Sequence, residues 1–198
     1  LTSYVNSIAP KYDSIYLVGF SLGGNVLLKY LSENTQVSAK VTAAAAISVP
    51  VDLKGSAMEL DNGLNRIYLQ RFINSLSKKM LAKSKQFPDE IDTKGIHKIK
   101  TFKEFDDAYT APLHGFKNAD DYWQKCSSAY GLNTITTPTL LINAKNDPFL
   151  SPSCFPFEDV VDHPFLHAIF TPIGGHVGFM LNSSDSWLEP VVFSFFED

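Results

Sequence analysis

Three residues of this 198-residue chain have types and spacing suited to chemistry: Ser21, Asp147 and His176. Ser21 stands in Gly19-Phe20-Ser21-Leu22-Gly23, a G-x-S-x-G pattern that presents a nucleophile on a sharp strand-to-helix turn. Gly and Ser are common enough that the bare pattern arises in about one chain in fifteen of this length, so its context decides its weight. An apolar run, Ile15 to Val18, leads in, and a helical pattern from Asn25 to Leu31 leads out. Such a turn lifts the hydroxyl clear of a sheet. It also aims the Leu22 backbone N–H at the point where an oxyanion would form, with the positive end of a helix behind it. Gly19 and Gly23 are expected as the elbow glycines, where strand and helix pass too close for side chains.

A serine hydroxyl is a weak nucleophile until a base takes its proton, and that base is normally a histidine oriented by a carboxylate. Five histidines compete. His97 and His114 fall in a long stretch without strand character, His163 precedes Pro164 in a loop, and His167 lies inside an apolar run, in the core or on the opposite face. His176 directly follows such a run, after Gly174-Gly175, where a loop can carry it over a sheet edge. For the acid, Asp147 follows the preceding apolar run, whereas Asp106, Asp107, Asp120 and Asp121 read as surface or cap-hinge charges of the strandless stretch. The order Ser, acid, His is the order of the strand–turn–helix pattern.

The elements that must hold these residues alternate. Leu1 to Ala9 reads as a helix end closed by Pro10, Ser14 to Phe20 as a strand, Gly24 to Asn34 as a helix and Val41 to Val49 as a buried strand. From Leu53 to Thr137 no strong strand is present. Leu64 to Ser84 has helical spacing, with Lys78, Lys79, Lys83 and Lys85 gathered near its end as a solvated helix terminus, and Asn118 to Ala129 begins with an N-cap Asn. Strand character returns over Thr139–Asn143 and Pro164–Phe170, and Ser186 to Phe196 closes the chain as an amphipathic helix. The β-α-β rhythm implies an α/β fold with a parallel sheet. All its strands then end on one edge, where Ser21, Asp147 and His176 emerge together. The expected organisation is a core of residues 1–50 and 138–198, with a helical cap over 51–137.

Composition agrees with a globular domain: 44% hydrophobic, 13% aromatic and 19% charged residues. A formal charge of -4 argues against nucleic-acid binding. No apolar run reaches membrane-spanning length. Cys126 and Cys154 make no disulfide framework, which favours a reducing, cytoplasmic setting. No metal-ligand spacing and no nucleotide loop is seen, so no metal and no cofactor is expected. The chain starts at Leu1 within a helical pattern, as a piece of a longer protein would, so an upstream membrane anchor stays open.

The elbow Gly19-Phe20-Ser21-Leu22-Gly23-Gly24-Asn25, the segment Phe105 to Phe116, the turn Asn146-Asp147-Pro148-Phe149 and the stretch Gly174-Gly175-His176-Val177-Gly178-Phe179 resemble the YheT-type, abhydrolase-domain branch of the α/β-hydrolase superfamily. The resemblance runs from near residue 14 to the C-terminus. It implies Ser21 as nucleophile, Asp147 as acid, His176 as base and a carboxylic ester as substrate, of lipid or short-to-medium acyl type. Acyl transfer or thioester cleavage on the same triad, or a non-catalytic interaction module, are the alternatives. It further implies that the chain holds only strands 5 to 8 of an eight-stranded fold. The loop that supplies a second oxyanion N–H would then lie outside it, and the fragment is expected to be weak or inactive. Strand 14–20 would be an exposed apolar edge, with Ile15, Leu17 and Phe20 covered by upstream residues or by a second copy in a homodimer.

Overall fold

The apolar runs become four parallel strands among the described residues: β1 (Ile15–Phe20), β2 (Val41–Ile47), β3 (Thr139–Ala144) and β4 (Leu166–Thr171), in the order β1-β2-β3-β4. This is a computed structural model, and it describes residues 1–33, 37, 39–180 and 185–197. Every residue of β3 is buried, and all but one residue of β2, because parallel strands with helices on both faces have no polar side. The alanines of β2 let both helical layers approach closely.

On one face lie α1 (Thr2–Ile8) and α2 (Leu22–Glu33), whose Val5, Leu27, Leu28 and Leu31 pack on Ala44, Ala46, Leu141 and Leu166. Residues 53–134 lie between β2 and β3. They comprise α3 (Leu53–Leu60), α4 (Arg66–Ser84), α5 (Phe102–Phe105), a π-helical turn Asp106–Thr110, α6 (Ala111–Leu113), α7 (Ala119–Cys126) and a 3-10 segment Ser128–Thr134. This helical stretch has a core of its own, with Leu60, Leu69, Ile73, Met80, Phe105 and Tyr109 at its centre. After α8 (Phe157–Val160) and β4, α9 (Leu188–Glu197) covers the second face of the sheet. There Leu188 and Val192 meet Ala45, Ile47, Leu140 and Ile142.

Some expectations change. Helix α2 starts at Leu22 rather than Gly24, directly after Ser21, and Asn34 lies outside the described residues. Strand β2 stops at Ile47, two residues early, because Ser48 takes a left-handed conformation with φ 54°. β1 is an edge of the described sheet, and of the three residues expected to be exposed there only Phe20 is. Ile15 is buried and Leu17 packs into the core on the α2 face, while Tyr16, Val18 and Phe20 are exposed. The strand alternates, and Ile15 and Leu17 point to the α2 side. His167 is exposed on β4 beside the Phe195 ring rather than in the core. Asp106 is not a surface charge. It is buried, accepting from Trp123 Nε1 at 2.8 Å and Thr110 Oγ1 at 2.6 Å, and burial pushes its carboxyl up despite those donors. Burial, with the Asp106 charge nearby, likewise pushes the Tyr122 hydroxyl up to about 12.

Candidate active site

Ser21 sits between the end of β1 and the start of α2 with φ 51°. A serine in that region is strained, and two backbone bonds hold it there. Its N–H donates to the Ile47 carbonyl at 2.8 Å, and its carbonyl accepts from Asn25 N at 3.2 Å. The turn closes tightly because Gly19 has no side chain. A Cβ at Gly19 would stand 2.6 Å from the Gly23 carbonyl oxygen. The partner glycine is Gly24, not Gly23 as expected. A Cβ at Gly24 would meet Val49 Cγ2 at 2.6 Å, whereas one at Gly23 would meet nothing within 4 Å among the described residues. Gly23 is on the exposed side of α2 and Gly24 on the side that faces the sheet. The Leu22 N–H belongs to the first turn of α2, where it has no partner inside the helix.

Asp147 follows β3. Its N–H donates to the Ala144 carbonyl at 3.0 Å, and its Oδ1 accepts from Phe149 N at 2.9 Å. His176 follows β4 on a loop held by Gly175 N donating to Asn146 Oδ1 at 2.9 Å. The three side chains meet in one line. His176 Nδ1 lies 2.7 Å from Asp147 Oδ2, and its Nε2 lies 2.9 Å from Ser21 Oγ. The Asp147 side chain is fully buried and the His176 side chain 17% exposed. A carboxylate accepts but cannot donate, so Nδ1 carries the proton of the neutral ring and Nε2 is free to accept from the serine. The other histidines stay apart. His163 Nδ1 accepts from the backbone of Phe165 and Leu166, and His97 and His114 are exposed in the helical stretch.

The Phe149 ring links the helical stretch to this line. Phe149, two residues after Asp147, lies with its centroid 4.6 Å from that of His176 and also packs against Tyr68 (5.0 Å) and Phe72 (5.9 Å) of α4. Asn65 Nδ2, at the entrance to α4, donates to the Pro148 carbonyl at 2.7 Å. Among the described residues no group of three or more His, Cys, Asp or Glu could hold a metal ion, and no helix is long and apolar enough to cross a membrane.

The family model described as the alpha/beta hydrolase fold matches residues 10–153. The chain belongs to this family. The Escherichia coli protein YheT is 34% identical over 177 residues, which cover 87% of this chain and 52% of that protein. A monoacylglycerol lipase of Saccharomyces cerevisiae is 30% identical over 192 residues, covering 91% of this chain and 42% of the lipase. The chain thus spans about half the length of these relatives. A solved esterase of Pyrococcus furiosus superposes with a TM-score of 0.54 at 16% identity, covering 99% of this chain and 59% of that one. At that identity the likeness is one of fold. The described structure is a partial alpha/beta hydrolase fold, a parallel half-sheet flanked by helices.

Sequence reasoning missed several supports of this site. Asn143, fully buried near the end of β3, accepts from the Val49 N–H and donates to the Val49 carbonyl. Asn25 bridges α2 to the Cys126 carbonyl and the Ser128 N–H. Each is a polar residue in an apolar or helical run, which marks a buried hydrogen-bonding role but not its partner.

Proposed function

We propose that the chain carries the catalytic triad of a serine ester hydrolase, with Ser21 as nucleophile, His176 as general base and Asp147 orienting the ring. The observation that carries this reading is the unbroken line of short contacts from Ser21 Oγ through His176 to a buried Asp147. In the acylation step Ser21 Oγ bonds to the ester carbonyl carbon while its proton passes to His176 Nε2. The carbonyl oxygen becomes an oxyanion, and the Leu22 N–H donates to it. The C–O bond to the alcohol then breaks, and the alcohol leaves with the proton from Nε2. Water, deprotonated by the same Nε2, attacks the acyl-serine. It releases the carboxylic acid and restores the Ser21 hydroxyl.

Two features support an apolar acyl group. Phe149, Tyr68 and Phe72 gather beside His176, and a relative bears the name monoacylglycerol lipase. On this reading the helices between β2 and β3 form a cap over the substrate. A single oxyanion donor next to Ser21 is assigned among the described residues. Losing one donor of a pair costs about 10²–10³ in rate, so the 198-residue chain should turn over slowly while still being acylated. The test is a fluorophosphonate probe together with p-nitrophenyl esters of graded length. Ser21 should label, and Ser21→Ala and His176→Ala should abolish labelling and turnover with the fold intact. Equal labelling after Ser21→Ala would end the proposal.

A further inference from the structure

Ser48 stands at the end of β2, fully buried, with φ 54°. Glycine adopts that backbone freely and a serine does not. The conformation is nevertheless held firmly, since the Ser48 N–H donates to the Ile142 carbonyl at 2.7 Å in continuation of the sheet. The strained turn aims the Ser48 hydroxyl out of the sheet edge, where it donates to the His176 backbone carbonyl at 2.5 Å.

Its neighbours reach the other two members of the line. The Ile47 carbonyl accepts from the Ser21 N–H at 2.8 Å. The Val49 side chain fills the space that a Gly24 side chain would take. The Val49 N–H donates to Asn143 Oδ1 at 2.7 Å and its carbonyl accepts from Asn143 Nδ2 at 3.1 Å, four residues before Asp147. Three consecutive residues at one strand end therefore bear on the nucleophile turn, on the histidine loop and on the strand that delivers the acid. β2 lies between β1, which leads into Ser21, and β3, which leads into Asp147, so its terminus is placed to reach both.

We propose that Ser48 is a positioning residue for His176, and that its strained conformation is retained because the hydroxyl fixes the loop that carries the ring. The proposal rests on the reading of Ser21, His176 and Asp147 as a catalytic triad. Gly178 N and Phe179 N both donate to the Gly174 carbonyl and close the turn that carries the histidine, and two bonds next to the ring tie that turn to other parts of the chain: Gly175 N to Asn146 Oδ1 on one side and Ser48 Oγ to the His176 carbonyl on the other. Without the second, the loop pivots about the first and the ring leaves its line between Ser21 and Asp147. Misplacing a catalytic group by about 1 Å costs about 10²-fold.

The test is Ser48→Gly, which removes the hydroxyl but suits the left-handed backbone, beside Ser48→Ala, which removes it and keeps the strain. Both are made in the 198-residue chain. Ser48→Gly should stay folded and lose about 10–100-fold in kcat on p-nitrophenyl butyrate with KM little changed. Its fluorophosphonate labelling should slow in parallel. The downfield proton resonance of His176 Nδ1–H should shift or broaden. Ser48→Ala should show the same kinetic loss with a lower Tm, and it carries the test if the glycine variant does not fold. A folded Ser48→Gly with wild-type kcat, labelling rate and Nδ1–H resonance overturns the proposal. If the wild-type chain neither labels nor hydrolyses esters, the triad reading fails, and the resonance alone judges Ser48. A shifted signal then upholds the positioning role, and an unchanged one overturns it.

Discussion

Replacing Gly19 by alanine tests whether the closeness of strand and helix at the elbow matters to Ser21. The added Cβ would stand 2.6 Å from the Gly23 carbonyl oxygen and 2.9 Å from both the Gly23 carbonyl carbon and Gly24 Cα. These are backbone atoms of α2 and cannot rotate away. The first falls short of ordinary contact at 3.4 Å by about 0.8 Å, so the start of α2 must move back by an amount of that order. Ser21 lies between the two backbones that separate, and its hydroxyl is 2.9 Å from His176 Nε2. A displacement of that size carries the contact out of hydrogen-bond range. Overpacking of this kind costs about 1–3 kcal/mol, which lowers Tm by about 2–12 °C in a chain of this size. Fluorophosphonate labelling should slow by about 10²-fold. Gly23→Ala is the control. Its Cβ meets nothing within 4 Å among the described residues, and alanine gains up to about 1 kcal/mol of helix propensity, so Tm should rise slightly with labelling unchanged. A Gly19→Ala chain that melts and labels like wild type would refute the reasoning, and so would equal damage from both substitutions.

Phe149→Ala removes the ring shared by His176, Tyr68 and Phe72. The ring is half-buried, so the loss should be about 1–2 kcal/mol, below the value for a fully buried ring, with slower labelling of Ser21; unchanged labelling would show that the stack does not hold the histidine. Asp106 and Asp107 should respond oppositely to acid. Burial raises the Asp106 carboxyl above its ordinary 3.8, so its contribution to stability is full below that value and lost as pH rises through the raised one. The Ala119 N–H and Lys103 lower Asp107, so its contribution is full above 3.8 and lost as pH falls through the lowered value. As pH falls from 7 to 3, wild type should therefore gain on Asp106→Asn and lose its lead over Asp107→Asn in Tm, and parallel curves would refute the assignment. The exposed Tyr16, Val18 and Phe20 on the β1 edge should drive self-association of the 198-residue chain. Val18→Lys should reduce it in analytical ultracentrifugation, and a wild-type chain monomeric at high concentration would count against this.

The candidate site was legible in the sequence wherever its signal was local. Gly19-Phe20-Ser21 after an apolar run, Asn146-Asp147-Pro148 after another and Gly174-Gly175-His176 after a third each mark a strand end. One global rule, that parallel strands end on one edge, then brings them together. The sheet and its helices follow from the same periodic patterns, to within a residue or two at most boundaries. Strand β2 failed at its end because the chain reads Ile47-Ser48-Val49 as continuous. What stops it is the left-handed backbone of Ser48, φ 54°, whose hydroxyl meets a carbonyl 128 residues away.

Tertiary structure alone decided which glycine the elbow needs. Gly23 and Gly24 are adjacent, and only the rotation of α2 against Val49 tells them apart. It also decided that Asp106 is buried on Trp123 while its neighbour Asp107 remains near the surface. The sequence by itself determined the strand ends that carry Ser21, Asp147 and His176, and the family, because those are written in short-range pattern. Burial, close approach and the partners of Ser48, Asn143 and Asp106 were decided by the packed structure, because each depends on atoms that are neighbours in space and not in sequence.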